Sequence, residues 1–145
     1  MQIEGRKIAG VLVESTSAAD ETLVAFVGVG INVNVDVAMY PQIAEIATSL
    51  KREVRAEVFR EEVLAAFCNH FEALYEAASH GDRAPFESWR GRLINLGREV
   101  TAHGPREDVE GIAVDVSDDG ALVIERTDGR RVTVEAGDVS LTHAM

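Results

Sequence analysis

Hydrophobic residues follow three rhythms along this chain. From Gly5 to Asn34 they form two nearly unbroken runs, GRKIAGVLVES and ETLVAFVGVGINVN, parted by small polar residues from Ser15 to Thr22. Runs of this kind bounded by turn residues predict two strands, and the short connection predicts antiparallel pairing. In the first, Ile8, Gly10 and Leu12 share one face and Lys7, Ala9, Val11 and Val13 the other. Both faces are largely apolar, so this strand is expected to be covered on both sides. In the second, from Leu23 to Val35, Val27, Val29, Ile31 and Val33 share one face while Gly28, Gly30, Asn32 and Asn34 share the other. Glycine weakens a strand interior because it packs nothing. The bare face therefore requires either a flat ligand against the backbone or a bulge or tight packing site.

After Tyr40-Pro41 the period lengthens. Ile43, Ile46, Ala47 and Leu50 predict a short helix over Gln42 to Leu50, and charged Lys51-Arg52-Glu53 follows. Phe59, Val63, Phe67, Phe71, Leu74 and Ala78, flanked by Leu64, Cys68 and Tyr75, predict a long helix from about Ala56 to Ser79. Glu57, Glu61 and Glu62 suit its positive N-terminal end, and Gly81 suits its close. Phe86, Trp89, Leu93 and Leu96 predict a further helix ending at Gly97.

From Arg98 onward five short alternating runs, from EVTAH to VSLT, are separated by turn signals such as SDDG and TDGR. Five short strands so spaced predict a small SH3-like barrel. The expected class is α+β, with one domain over 1–97 and the barrel over 98–145. The first domain has only two strands to set against its helices, so its sheet is expected to be incomplete.

Charge and composition narrow the chemistry. Lys+Arg 14 against Asp+Glu 25 gives a net charge of -11, and no basic patch interleaved with aromatics occurs, which argues against nucleic-acid binding. Cys68 is the single cysteine, so neither an internal disulfide nor a cysteine metal site is expected, and a reducing, cytoplasmic setting fits. No run of about 18 apolar residues predicts a membrane span.

Candidate side chains are few. Gly28-Val29-Gly30 is not a phosphate loop, since strand residues follow it rather than a helix N-terminus. Asn32 offers the paired donor and acceptor that an adenine edge needs, or it serves a turn or bulge. Lys7 is either a solvated charge at a strand end or a fixed cation over a carboxylate or phosphate. Cys68 lies on the apolar side of the long helix and reads as a core thiol. His70, His80, His103 and His143 show no metal-ligand spacing, Ser49 and Ser140 sit in no motif, and Asp118-Asp119-Gly120 reads as a hairpin turn.

Taken together, Gly5-Arg6-Lys7-Ile8-Ala9-Gly10-Val11-Leu12-Val13-Glu14 and Val27-Gly28-Val29-Gly30-Ile31-Asn32-Val33-Asn34 resemble the biotin–protein ligase family. So do Ala47-Thr48-Ser49-Leu50, the long helix, Trp89 before Leu96-Gly97, and a final barrel ending in Ala136-Gly137-Asp138-Val139. The resemblance implies a partial biotin/lipoate-ligase-like mixed sheet followed by the barrel. It implies an enzyme that condenses biotin with ATP, aided by Mg2+, to biotinyl-adenylate, and then transfers biotin to a lysine of a carrier protein. By resemblance Lys7 is catalytic; biotin lies against Lys7, Gly10 and Leu12; nucleotide lies against Gly28, Gly30 and Asn32; and no protein metal ligand is assigned. The partner implied is a biotin carboxyl carrier protein domain, and a homodimer is compatible. The family's glycine-arginine-rich loop and Trp-Pro-Asn-Asp segment do not occur here, and neither does a winged DNA-binding domain. The chain is thus expected to match the C-terminal half of a ligase and to need an N-terminal half. The competing readings are a non-catalytic remnant or binding module and, less well matched, a lipoate-attaching relative.

Overall fold

The computed structural model describes residues 1–17, 23–104, 107–135 and 138–141. Part of the expected first turn (18–22), Ala136-Gly137 and His143 lie outside them. The chain divides into two compact units, Met1–Glu72 and Ala73–Met145.

The first unit opens with β1 (Gln2–Ile3) and β2 (Arg6–Lys7), an antiparallel pair turned through Glu4 and Gly5. Both turn residues have positive φ, 48° and 79°, the arrangement that suits a two-residue hairpin. Then come β3 (Ala9–Ser17) and β4 (Leu23–Ile31), antiparallel in unbroken register from Ala9↔Ile31 to Ser17↔Leu23. This places Gly10 opposite Gly30 and Leu12 opposite Gly28.

Among the described residues β3 and β4 form a sheet of two strands only, as the strand count predicts. The expected covering of both faces of β3 does not occur. Val11, Leu12 and Val13 are 55%, 65% and 57% exposed, and Phe26 across the ribbon is 61% exposed. The physical reason is that the helix of this unit meets β4, not β3. Val27, Val29, Ile31 and Val33 line a cavity of about 300 Å³ together with Arg60, Val63, Leu64 and Phe67.

The helix expected over Gln42 to Leu50 is replaced by turns, through which Ile43 N–H donates to Tyr40 and Ala47 N–H to Ile43. Ala47 bridges to Lys7 in parallel instead. The helix begins later, as α1 (Leu50–Val54), because Ser49 is its N-cap and its hydroxyl accepts from Arg52 N–H. It stops at Arg55, whose φ of 59° is left-handed. α2 (Arg60–Ser79) starts four residues later than expected. The Asn34 amide occupies the approach to it, donating to Val58 O at 2.8 Å and accepting from Val58 N–H at 3.0 Å. Ile8, Ala9, Val33, Val37, Ala47, Thr48 and Ser49 are buried here.

In the second unit α3 (Ala84–Arg90) is shorter than the run from Phe86 to Leu96 suggests. Arg92 and Leu93 N–H bond three residues back rather than four, and Gly97 N–H is taken by Ala113 O of the sheet. Five strands then appear as expected: β5 (Glu99–His103), β6 (Asp108–Val116), β7 (Leu122–Glu125), β8 (Arg131–Val134) and β9 (Asp138–Leu141). All pair antiparallel in the order β8-β7-β6-β5-β9. Val100, Ala102, Val109, Ala113 and Ile124 form the core, with Leu96, Leu122, Val132, Val134 and Leu141 around it.

Gly111 permits the close approach of β6 to β7, since a Cβ there would stand 2.3 Å from Glu125 O. Asp118-Asp119-Gly120 is the hairpin turn, with Gly120 at φ +85° and Ser117 N–H on Ala121 O at 2.8 Å. Arg83 pairs with Asp118 and Arg90 with Asp115, both at 2.7 Å, so α3 is tied to the turn and to β6. Asp115 titrates below the usual carboxylate range because its own neighbour's Val116 N–H, and then Arg90, favour the charged form.

Candidate functional site

The ribbon and the short β2 place the predicted side chains as follows. Lys7 ends β2, and the strand break at Ile8 reverses the alternation that a continuous strand would impose. The lysine therefore does not share the Ala9/Val11 face expected for it. Its side chain lies over Gly10: a Cβ at Gly10 would be 3.7 Å from Lys7 Cε and 3.9 Å from Nζ. Among the described residues the Lys7 ammonium has no hydrogen-bond or ion-pair partner.

Across the ribbon Gly30 faces Gly10, and nothing lies within 4 Å of where its Cβ would stand. Gly28, opposite Leu12, meets only Leu12 O at 3.8 Å. One face of the hairpin is thus a floor of bare backbone at Gly10, Gly28 and Gly30, edged by exposed Leu12 and overhung by a cation. A planar group bearing a negative charge at one end fits such a surface.

Asn32 stands opposite Ile8, at the same end of the floor as Lys7, and is half-buried. Its Nδ2 donates to Thr48 O at 3.1 Å, its N–H donates to Ile8 O at 2.9 Å and its carbonyl accepts from Leu50 N–H at 2.9 Å. One amide hydrogen of the side chain therefore serves the fold. The structure brings Lys7, Gly10, Leu12, Gly28, Gly30 and Asn32 onto one side of one ribbon.

Local sequence reading passed over the residues that hold this arrangement. Lys7 N–H donates to Ile46 O at 2.8 Å and Lys7 O accepts from Thr48 N–H at 2.9 Å. Thr48 and Ser49 are 0% and 1% exposed. The Thr48 hydroxyl donates to Glu53, which also takes Arg6 Nη2 at 3.2 Å. Glu53 is held below the ordinary glutamate range, first by the Thr48 hydroxyl and then by Arg6. Two adjacent small polar residues inside the apolar stretch Ile43 to Leu50 were the available signal.

Other groups are excluded on geometry. Cys68 is exposed, not in the core, because α2 turns that side away from the strands it meets at Val63 and Phe67. His103 Nδ1 pairs with Asp108 at 3.0 Å, and Ser140 Oγ lies 3.5 Å from its Nε2. All three are exposed on the sheet, whereas acyl transfer by such a trio needs preorganised oxyanion donors in a water-excluding site. A cavity of about 780 Å³ includes Asp36, Ser49, Lys51, Arg52, Arg55 and Glu57, with Lys51 neutralised by Glu57. Among the described residues no group of three or more His, Cys, Asp or Glu side chains is placed to hold a metal ion, and no helix is long and apolar enough to cross a membrane.

Residues 96–142 match the family model described as the biotin protein ligase C-terminal domain. Over 141 residues, 96% of this chain, it is 27% identical to the bifunctional ligase/repressor BirA of Bacillus subtilis and spans 43% of that protein. It is 31% identical to a biotin–[acetyl-CoA-carboxylase] ligase of Mycobacterium tuberculosis, over 93% of this chain and 48% of that one. The fold is similar to part of the Aquifex aeolicus biotin protein ligase solved in complex with biotin and ATP, with a TM-score of 0.77 at 24% identity, covering 98% of this chain and 58% of that chain. The chain spans about half the length of the curated relatives it matches.

Proposed function

We propose that this chain, which is similar to the biotin protein ligases and whose residues 96–142 match their C-terminal domain, supplies one wall of a site that makes biotinyl-adenylate. The observation that carries this reading is the Lys7 ammonium, without a partner among the described residues, lying over the Gly10/Gly30 floor. Biotin rests against Lys7, Gly10 and Leu12, and the nucleotide rests against Gly28, Gly30 and Asn32. The biotin carboxylate attacks the α-phosphorus of ATP, pyrophosphate leaves, and a carrier lysine amine then attacks the acyl carbon and expels AMP. Lys7 offsets the negative charge gathered on the acyl-phosphate oxygens, and the bare backbone lets the planar groups lie close. Such catalysis is mostly positioning and charge stabilisation. Magnesium enters as the complex with ATP's phosphates.

The second wall comes from the N-terminal part of a ligase, in the same or another polypeptide. The two-stranded ribbon with apolar side chains exposed on both faces supports this. The family match over 96–142 supports a barrel beginning near Gly97, within a catalytic portion 1–97 and a barrel 98–145. A biotin carboxyl carrier protein domain in the cytoplasm is the acceptor in this reading.

Biotin-dependent exchange of pyrophosphate into ATP tests it. The chain mixed with an N-terminal ligase portion should catalyse exchange, and Lys7→Ala should lower the rate on the order of 10²–10³-fold with the melting temperature unchanged. No exchange in the mixture, or full exchange by Lys7→Ala, rejects the proposal.

A further inference from the structure

Thr48 is the one described residue hydrogen-bonded at once to Lys7 and to Asn32, which stand side by side at the Gly10/Gly30 end of the floor. Its N–H donates to Lys7 O at 2.9 Å, its carbonyl accepts Asn32 Nδ2 at 3.1 Å, and its hydroxyl donates to Glu53. It is fully buried, so none of these bonds can be exchanged for water without opening the structure. Glu53 is in turn fixed from two sides. Its carboxylate takes Arg6, the residue before Lys7, and its N–H is bonded to Ser49 O in the first turn of α1. Arg6, Lys7, Asn32, Thr48 and Glu53 therefore form one clasp with the threonine at its centre.

We propose that Thr48, locked by Glu53, is a positioning residue that sets the spacing between Lys7 and Asn32. This rests on the reading of those two residues as the acyl-phosphate and nucleotide ends of the site. The physical case is one of tolerance, because a catalytic cation misplaced by about 1 Å loses most of its effect. Lys7 stands at the end of a two-residue strand, and outside the β1–β2 hairpin its backbone bonds run to Ile46 and Thr48. Removing the hydroxyl of Thr48 leaves the Glu53 carboxylate paired with Arg6 and releases that pair from residue 48, so that β2 can shift with it. The fault would then appear at Lys7 and at Asn32 together.

The test compares Thr48→Val, which keeps the shape, with Thr48→Ser, which keeps the hydroxyl, and Glu53→Gln, which keeps an acceptor but not the charge. In the exchange assay with an N-terminal ligase portion, Thr48→Val should lower kcat at least tenfold and raise KM for biotin and for ATP together. Thr48→Ser should restore both to within about threefold, and Glu53→Gln should fall between. Amide hydrogen exchange on the chain by itself should show faster exchange at Lys7 and residue 48 in Thr48→Val, with the β5–β7 amides unchanged. A purely structural threonine would lower Tm while leaving kcat and KM intact well below the melting point, and that result overturns the proposal. Should Thr48→Val not fold, Glu53→Gln with wild-type kinetics and wild-type protection at Lys7 overturns it equally. The Lys7→Ala variant separates the two layers. Full activity there rejects the functional reading, while the amide-exchange comparison still decides whether the clasp fixes Lys7.

Discussion

At Gly30 a side chain would meet nothing within 4 Å, while at Gly111 it would stand 2.3 Å from a carbonyl oxygen. Two glycines in strands thus carry opposite expectations. Gly30→Val should leave Tm unchanged or raise it, since a β-branched residue suits a strand and removes the entropy cost of glycine, worth roughly 0.5–1 kcal/mol. It should also abolish pyrophosphate exchange by filling the floor. Gly111→Ala should destabilise the second unit by about 1–3 kcal/mol, seen as a lower thermal midpoint, because β6 must move from β7. Full exchange by Gly30→Val would remove the floor from the site. The glycine face was legible in the sequence because strand alternation is local and strict. The duty of Asn32 was not, because its amide partner is a carbonyl sixteen residues away. Nor was the face of Lys7, since a single break at Ile8 reverses the parity on which the reading depended.

Among elements, α1 shows where periodicity misleads. Ile43, Ile46, Ala47 and Leu50 have helical spacing, yet Ala47 bridges to Lys7 and Thr48 is enclosed, so tertiary pairing overrides the local pattern. The five strands of the second unit were legible because turn signals separate them, and in two of those turns Gly120 and Gly129 adopt the positive φ that favours glycine, although β6 begins three residues before the run that announced it. α1 also carries a pH expectation. Glu53 is charged to lower pH in the folded chain than in the unfolded one, so it contributes stability that is fully present above the ordinary glutamate range. That contribution is lost as pH falls through the lowered folded value. Titration followed at the Glu53 carboxyl carbon should give a midpoint below the ordinary glutamate range. In Glu53→Gln the corresponding acid-side loss of stability should be absent. An ordinary Glu53 midpoint would mean that its bonds to Thr48 and Arg6 do not persist in solution.

For the whole molecule, the α+β class and the unfinished first sheet followed from counting rhythms, since two strands cannot screen the apolar surface this chain devotes to them. What the sequence could not disclose was which faces stay open. Apolar residues on both faces of β3 signal burial whether the cover is in this chain or outside it, and Val11, Leu12 and Val13 are in fact exposed. Amides of β3 and β4 should therefore exchange with solvent at least a hundredfold faster than those of β5 to β7 in the chain by itself. Adding an N-terminal ligase portion should slow the ribbon amides and leave the five-stranded sheet unaffected. Ribbon amides that are already slow, or that do not respond, would mean the apolar faces are satisfied some other way.

The clasp at Thr48 also bears on how such a chain can change over generations. A threonine that spends its N–H, its carbonyl and its hydroxyl on three separate partners cannot be exchanged one property at a time. Drift at position 48 should be accompanied by substitution at 32 or 53 in the same lineage, whereas an exposed residue such as Glu72 is free to vary by itself. Selection for a different nucleotide fit would then begin not at the floor but with paired replacements behind it.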